Sequence, residues 1–201
     1  AVSGLSGVAQ IAVIGAHSCA RMMDGTVRCW GELYLGDGSD YGEHLTPTQV
    51  TGLSNVVDIA GLDRTTCVRL SDGTARCWGA NNIGFAAESG VRSPVSIGGA
   101  NGATQIALGT DFFCFRLSDG TLKCAGSNSY GQLGDGTSSP RNTLTAVPSL
   151  TGVATVATGS SFTCAVAGGG ALSCWGNNTQ RQLGRGNSNS SANPTPLPVL
   201  W

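Results

Sequence analysis

Apolar residues recur in short alternating runs rather than at helical spacing. Four such runs end in or beside glycine: VAQIAVIG (8–15), VVDIAGL (56–62), ATQIALG (103–109) and VATVATG (153–159). Alternation over four to eight residues predicts half-buried strands. Each run leads into a segment with a cysteine at either end of a turn signal, as in HSCARMMDGTVRCWG (17–31). The same segment returns as TTCVRLSDGTARCWG, FFCFRLSDGTLKCAG and FTCAVAGGGALSCWG. Its first cysteines fall at 19, 67, 114 and 164, a period of 47 to 50 residues. A Gly/Asn/Asp loop follows, fullest as NSYGQLGDGT (128–137), and then a Pro/Thr-containing stretch such as TPTQVTGL (46–53). Three or four short strands per unit of about 50 residues, punctuated by glycine, predict propeller blades. Helical repeat arrays would need a 3.6-residue period, which is missing.

Symmetry fixes the hairpin register. Asp24 lies midway between Cys19 and Cys29, so the loop is Met23-Asp24-Gly25 with glycine third. A three-residue hairpin loop needs a left-handed residue in that place, and glycine adopts it without a Cβ clash. Cys19 then faces Cys29 across the strands, and the same construction pairs Cys67 with Cys77, Cys114 with Cys124 and Cys164 with Cys174. Directly opposed residues are close enough for a disulfide. Zinc sites bring cysteines two to four residues apart with histidine nearby, whereas nine residues separate each pair here and the chain has two histidines. Four disulfides predict an oxidising compartment, hence a secreted or cell-surface protein.

Composition narrows the function. Net charge is −1, charged residues make up 11% and no Lys/Arg cluster occurs, so the footprint of a nucleic-acid binder is missing. No apolar run approaches the ~20 residues of a membrane-spanning helix. No signal peptide is visible, and the chain reads as a mature or excised form. Asn177-Asn178-Thr179 and Asn189-Ser190-Ser191 fit the N-glycosylation pattern, which arises readily by chance in an Asn/Ser-rich chain. No cofactor motif is present. Ser18 and His17 could spell a hydrolytic pair with an aspartate, yet neighbours on a strand point to opposite faces. His44 has no evident partner. Asp37 and Asp135 in the GDG loops lack the dense oxygen spacing of a calcium site, and Arg185 replaces them in the fourth unit. The chain is therefore expected not to be an enzyme.

The combination IAxG, HSCA, DGTVRCWG, GQLGDGT and Pro-x-x-Val resembles the repeat of the regulator-of-chromosome-condensation family, through the whole chain. The resemblance implies a β-propeller of four-stranded blades, most often seven. Four repeats, each with paired cysteines, depart from that pattern in the manner of secreted bacterial members. The expected architecture is an all-β propeller, one domain over 1–201, with units at approximately 1–48, 49–96, 97–146 and 147–201. Val199 aligns with Val147 and Val2, so the chain holds whole repeats. Either a closed four-bladed ring or a half-ring completed by a second copy would avoid exposed blade edges, and the sequence leaves both open.

Positions that vary between units are the candidates for binding. Between the first strand and the hairpin the units read AHS, LDRTT, TDFF and SSFT, expected to ring one mouth with His17, Asp63, Arg64, Asp111, Phe112 and Phe162. Aromatics with Arg on one face suit a protein-binding hot spot. The competing expectation is that Phe112 and Phe162 pack under the loops. Tyr34, Tyr41, Phe85 and Tyr130 on the exit loops form a second candidate set. Trp30, Trp78 and Trp175 are expected to pack against the next blade, with a looser contact at Ala125. The family's nuclear founder is a nucleotide-exchange factor that touches chromatin, a role unsuited to this neutral, cysteine-paired chain. A secreted bacterial relative inhibits β-lactamase through loops on one face. The expected function is thus a protein-binding, in one form inhibitory, module. The alternatives are a lectin-like or adhesion protein, recognising a glycan, and a structural subunit of an extracellular assembly.

Overall fold

The computed structural model describes residues 2–39, 43–80, 84–86 and 90–200. Every regular element among them is a strand. The first blade is β1 (Val8–Ile14), β2 (His17–Met22), β3 (Val27–Gly31) and β4 (His44–Gln49). The second is β5 (Val56–Leu62), β6 (Thr65–Leu70), β7 (Ala75–Ala80) and β8 (Gly90–Ser96). The third is β9 (Ala103–Gly109), β10 (Phe112–Leu117), β11 (Leu122–Gly126) and β12 (Arg141–Ala146). The fourth is β13 (Thr155–Thr158), β14 (Phe162–Ala167), β15 (Ala171–Gly176) and β16 (Leu197–Pro198). Each blade is a four-stranded antiparallel meander in chain order, the fold expected from the period.

The hairpin follows the expected register. Cys19 pairs with Cys29, Cys67 with Cys77, Cys114 with Cys124 and Cys164 with Cys174. All four pairs are disulfides with Cα atoms 4.1 Å apart. In the first three blades the loop closes with Gly25, Gly73 or Gly120 at φ near +80°. The preceding aspartate accepts hydrogen bonds from the backbone N–H and hydroxyl of the threonine two residues on, such as Asp24 from Thr26. In the fourth blade Gly168, Gly169 and Gly170 all take positive φ, a turn without that brace.

The chain divides into two compact units, Ala1–Asn81 with Phe85–Ile97, and Asn82–Gly84 with Gly98–Trp201. In the first, blades 1 and 2 share a core of Ile14, Val27, Val50, Ile59, Val68 and Trp78. In the second, blades 3 and 4 share one of Ala107, Leu122, Leu133, Val147, Val156 and Trp175. Polar clamps complete both joints. The Gln10 side chain donates to the Ile59 carbonyl and accepts the Ile59 N–H. Gln105 does the same to Val156, donating at 2.8 Å and accepting at 3.0 Å.

Trp78 and Trp175 pack in the direction opposite to expectation, and Trp30 is half-exposed. Trp78 of blade 2 lies on Gly36 of blade 1, in one core cluster with Val50, and Trp175 of blade 4 lies on Gly134 of blade 3. Each docks on the preceding blade. Strand alternation gives the face of a side chain but not which neighbour covers that face.

Candidate binding surface

In a four-stranded meander the first corner and the exit loop after the third strand lie at one end, and the cysteine-hairpin turn lies at the other. The corners are tighter than their varied sequences suggest. Ile14 pairs with His17, Leu62 with Thr65 and Gly109 with Phe112, leaving two-residue corners Gly15-Ala16, Asp63-Arg64 and Thr110-Asp111. Gly15, Asp63 and Asp111 supply positive φ values of 49°, 56° and 58°. Glycine and aspartate tolerate that left-handed conformation. In the fourth blade the corner opens to Gly159–Phe162, closed by the Gly159 N–H on the Phe162 carbonyl at 2.9 Å.

His17, Thr65, Phe112 and Phe162 occupy one equivalent position, two residues before the first cysteine. Each pairs with a glycine on the third strand: Gly31, Gly79, Gly126 or Gly176. Position and partner make this a framework site. Phe112 is fully buried and its ring covers Gly109, while half-buried Phe162 covers Gly159 in the same way. His17 is buried too, with Nε2 3.0 Å from the Thr66 hydroxyl. Burial lowers its pKa to about 4, so its ring is neutral near pH 7.

Asp63 and Arg64 are exposed, and Asp111 is half-buried. In the first unit the Asp63 carbonyl sits against Gly15, where a Cβ would clash, so corners of blades 1 and 2 abut. In the second unit the Thr110 N–H donates to the Ser160 carbonyl at 3.0 Å, joining corners of blades 3 and 4. Each unit therefore presents a fused pair of corners. One carries Asp63 and Arg64, the other Asp111, Ser160 and the edge of Phe162. Of the exit-loop aromatics, Tyr34 and Phe85 are half-buried, Tyr130 is more exposed, and Tyr41 lies outside the described residues.

Two exit-loop aspartates are paired within their own loops. Asp37 accepts from Ser39 and pairs with His44 Nε2 at 3.0 Å, giving His44 the partner its sequence context did not reveal. Asp135 pairs with Arg141 Nε at 2.7 Å and accepts from Thr137. Burial pushes both carboxyls upward, but these hydrogen bonds and cations outweigh it and hold both below the usual range. Their oxygens serve the loop.

Four-stranded antiparallel sheets repeated in this way define the β-propeller class of fold. Residues 103–132 with 153–182, and separately 119–166, match the regulator of chromosome condensation (RCC1) repeat. The matched residues lie in blades 3 and 4, and the fold of the chain is that of an RCC1-type β-propeller. It resembles human WBSCR16 (TM-score 0.83, 21% identity, 99% of this chain and 55% of that one). It also resembles Prp20p of Saccharomyces cerevisiae (0.83, 22%, 96% and 50%), a structure described with binding to Gsp1p and histones. A third likeness is yeast RCC1 (Prp20) bound by Kap60 (0.79, 22%, 96% and 49%). The chain thus spans about half the length of these proteins. No curated protein sequence matches it.

Proposed function

We propose that the chain is a non-catalytic module, secreted or held at a cell surface, that binds a protein partner through its corner loops and blocks that partner's own surface. The observation carrying this reading is the division of labour within the repeat. The hairpin, disulfide and corner-facing glycine recur in every blade, while the corner residues differ: Gly15-Ala16, Asp63-Arg64, Thr110-Asp111 and Ser160-Ser161. Rigid frames with variable loops are how repeat scaffolds carry specificity. His17 and Phe112 support the corners from below. Within each unit its own fused corners would make the contact, Asp63 and Arg64 in the first, Asp111 and Phe162 in the second.

The four disulfides suit an oxidising compartment, and no described helix is long and apolar enough to cross a membrane. The partners named with Prp20p are proteins, which favours a protein ligand here as well. A glycan-binding scaffold would call for one equivalent aromatic pocket per blade, and the corner position holds His, Thr, Phe and Phe instead. Capture from an extracellular fraction, comparing the native chain with an Asp63→Ala/Arg64→Ala double variant, tests the reading. A partner retained by the first and weakened about tenfold or more by the second supports it. Equal retention by both contradicts it.

A further inference from the structure

Blade 1 exposes a face that blades 2 and 4 bury. Ile59 and Val156 on the first strands of blades 2 and 4 are each 3% exposed, covered by the preceding blade. Their equivalent in blade 1, Ile11, is 67% exposed, and Val13 beside it 76%. The cross-strand pair Thr163–Trp175 recurs in blade 1 as Ser18–Trp30. Trp175 is fully buried, whereas Trp30 is half-exposed and lines an apolar groove of about 350 Å³ with Ile11, Val13 and Ser18.

What such a pair docks on is visible within the molecule. The Thr163 hydroxyl and the Trp175 indole N–H both donate to the Gln132 carbonyl at 2.9 Å. The indole lies over Gly134, where a Cβ would come within 2.6 Å of Nε1. The part of this loop that forms the cradle keeps its main bonds in blade 4, although Arg185 there replaces Asp135 and donates to the Cys174 carbonyl and Asn193 instead. The Leu133 N–H donates to Asn128 Oδ1, and the Leu183 N–H to Asn178 Oδ1. The Tyr130 N–H donates to Gln132 Oε1, and the Gln180 N–H to Gln182 Oε1. Gly134 closes on Gly131, and Gly184 on Arg181, both at positive φ. Yet against Gly184 the nearest side chain is Val199, and no indole covers it among the described residues. Gln132 is buried beneath its tryptophan, while Gln182 is half-exposed.

Among the described residues, blade 1 offers a knob without a cradle and blade 4 a cradle without a knob, and the two are complementary. We propose that the blade 1 face docks head to tail onto the blade 4 loop of a second copy of this chain. Trp30 covers Gly184 there, and the Ser18 hydroxyl and Trp30 indole both donate to the Gln182 carbonyl. Apolar area and two directed hydrogen bonds drive the contact. One element is missing. Thr155 stands where Gln10 and Gln105 clamp their neighbours, so the pairing lacks the side-chain amide bridge and is dissociable. The contact uses surfaces apart from the corner loops and goes beyond the partner-binding reading.

Sedimentation velocity over a concentration series tests it, with an Ile11→Lys/Val13→Lys variant alongside. Both positions are exposed, so the variant should melt as the native chain does. The expected result is a native mass rising from the 20.3 kDa of one chain with concentration, and association at least about tenfold weaker in the variant. A photoreactive phenylalanine analogue at Val13 should cross-link to a peptide within residues 180–199 of the other copy. A one-chain mass at all concentrations would overturn the proposal and leave the face to further blades of a longer polypeptide or to another protein. Association unchanged by the lysines, or a cross-link from blade 1 to blade 1, would overturn it equally.

Discussion

Blades 1 and 4 carry the same hydroxyl–tryptophan pair beside the same disulfide, in very different surroundings. At Trp175 the pair is closed: indole buried, both donors satisfied, glycine beneath it. At Trp30 it is open, with Ile11 and Val13 exposed alongside. The hairpin builds the pair wherever the repeat occurs, since cross-strand register needs only local sequence. Burial depends on whether a preceding blade supplies the cradle. A repeat protein therefore separates two kinds of energy: that inside a blade, which is uniform, and that at a joint, which is spent only where neighbours meet.

Substitution at the tryptophans draws that distinction most sharply. Trp175→Ala should destabilise the chain by about 3–5 kcal/mol, the range for truncating a buried aromatic, and strip the Gln132 carbonyl of a donor. Trp30→Ala should cost no more than about 0.5 kcal/mol in a dilute sample, as for an exposed site. Denaturant unfolding of the two variants checks this, and equal losses would erase the contrast.

Disulfides should behave in the opposite way, indifferent to the state of the joint. Replacing Cys19 and Cys29 by serine, or Cys164 and Cys174, opens a loop of the same length. Each double replacement should cost roughly 2–3 kcal/mol on the chain-entropy estimate. Thermal melts that differ widely between the two would mean that the joint, not the hairpin, governs the bond's contribution.

The joint between blades 1 and 2 adds an acid sensitivity. His17 has its folded pKa lowered to about 4 by burial, against an ordinary histidine value of 6.5. The unfolded chain binds its proton first, so this contribution is whole above pH 6.5, falls as pH drops towards 4, and changes no further below that. The loss is of order up to 3 kcal/mol at about 1.4 kcal/mol per pKa unit. Unfolding free energies measured from pH 7 to 4 should slope downward, and His17→Gln should flatten the slope. A native slope of zero would contradict the burial of a neutral ring. A smaller effect is expected from Gly25→Ala: its φ of +79° and a Cβ 3.0 Å from the Asn55 backbone predict a loss of about 1–2 kcal/mol, seen as a lower melting temperature.

Blade number, hairpin register and all four disulfides follow from sequence because they depend on local spacing. The tryptophan face was legible by alternation, but its partner was not: both neighbouring blades offer glycine loops. His17 and Phe112 read as loop residues because AHS and TDFF look irregular, although each stands opposite the glycine that ends its blade's third strand. That pairing was a readable signal of a framework position. Gln10 and Gln105 clamp main chain a blade away. A lone glutamine in a strand carries no local mark of such a role, though its recurrence in alternate units does. The open face of blade 1 follows from no residue of blade 1. It reflects what precedes the blade in space.

Hydroxyl-radical footprinting of the native chain at low concentration, read by mass spectrometry at each tryptophan, asks most directly whether one repeated pair exists in two states. Trp30 should oxidise rapidly while Trp78 and Trp175 stay protected, as two fully buried rings and one half-exposed ring require. Equal protection of all three at a one-chain mass would contradict it, because something within the chain would then already cover blade 1.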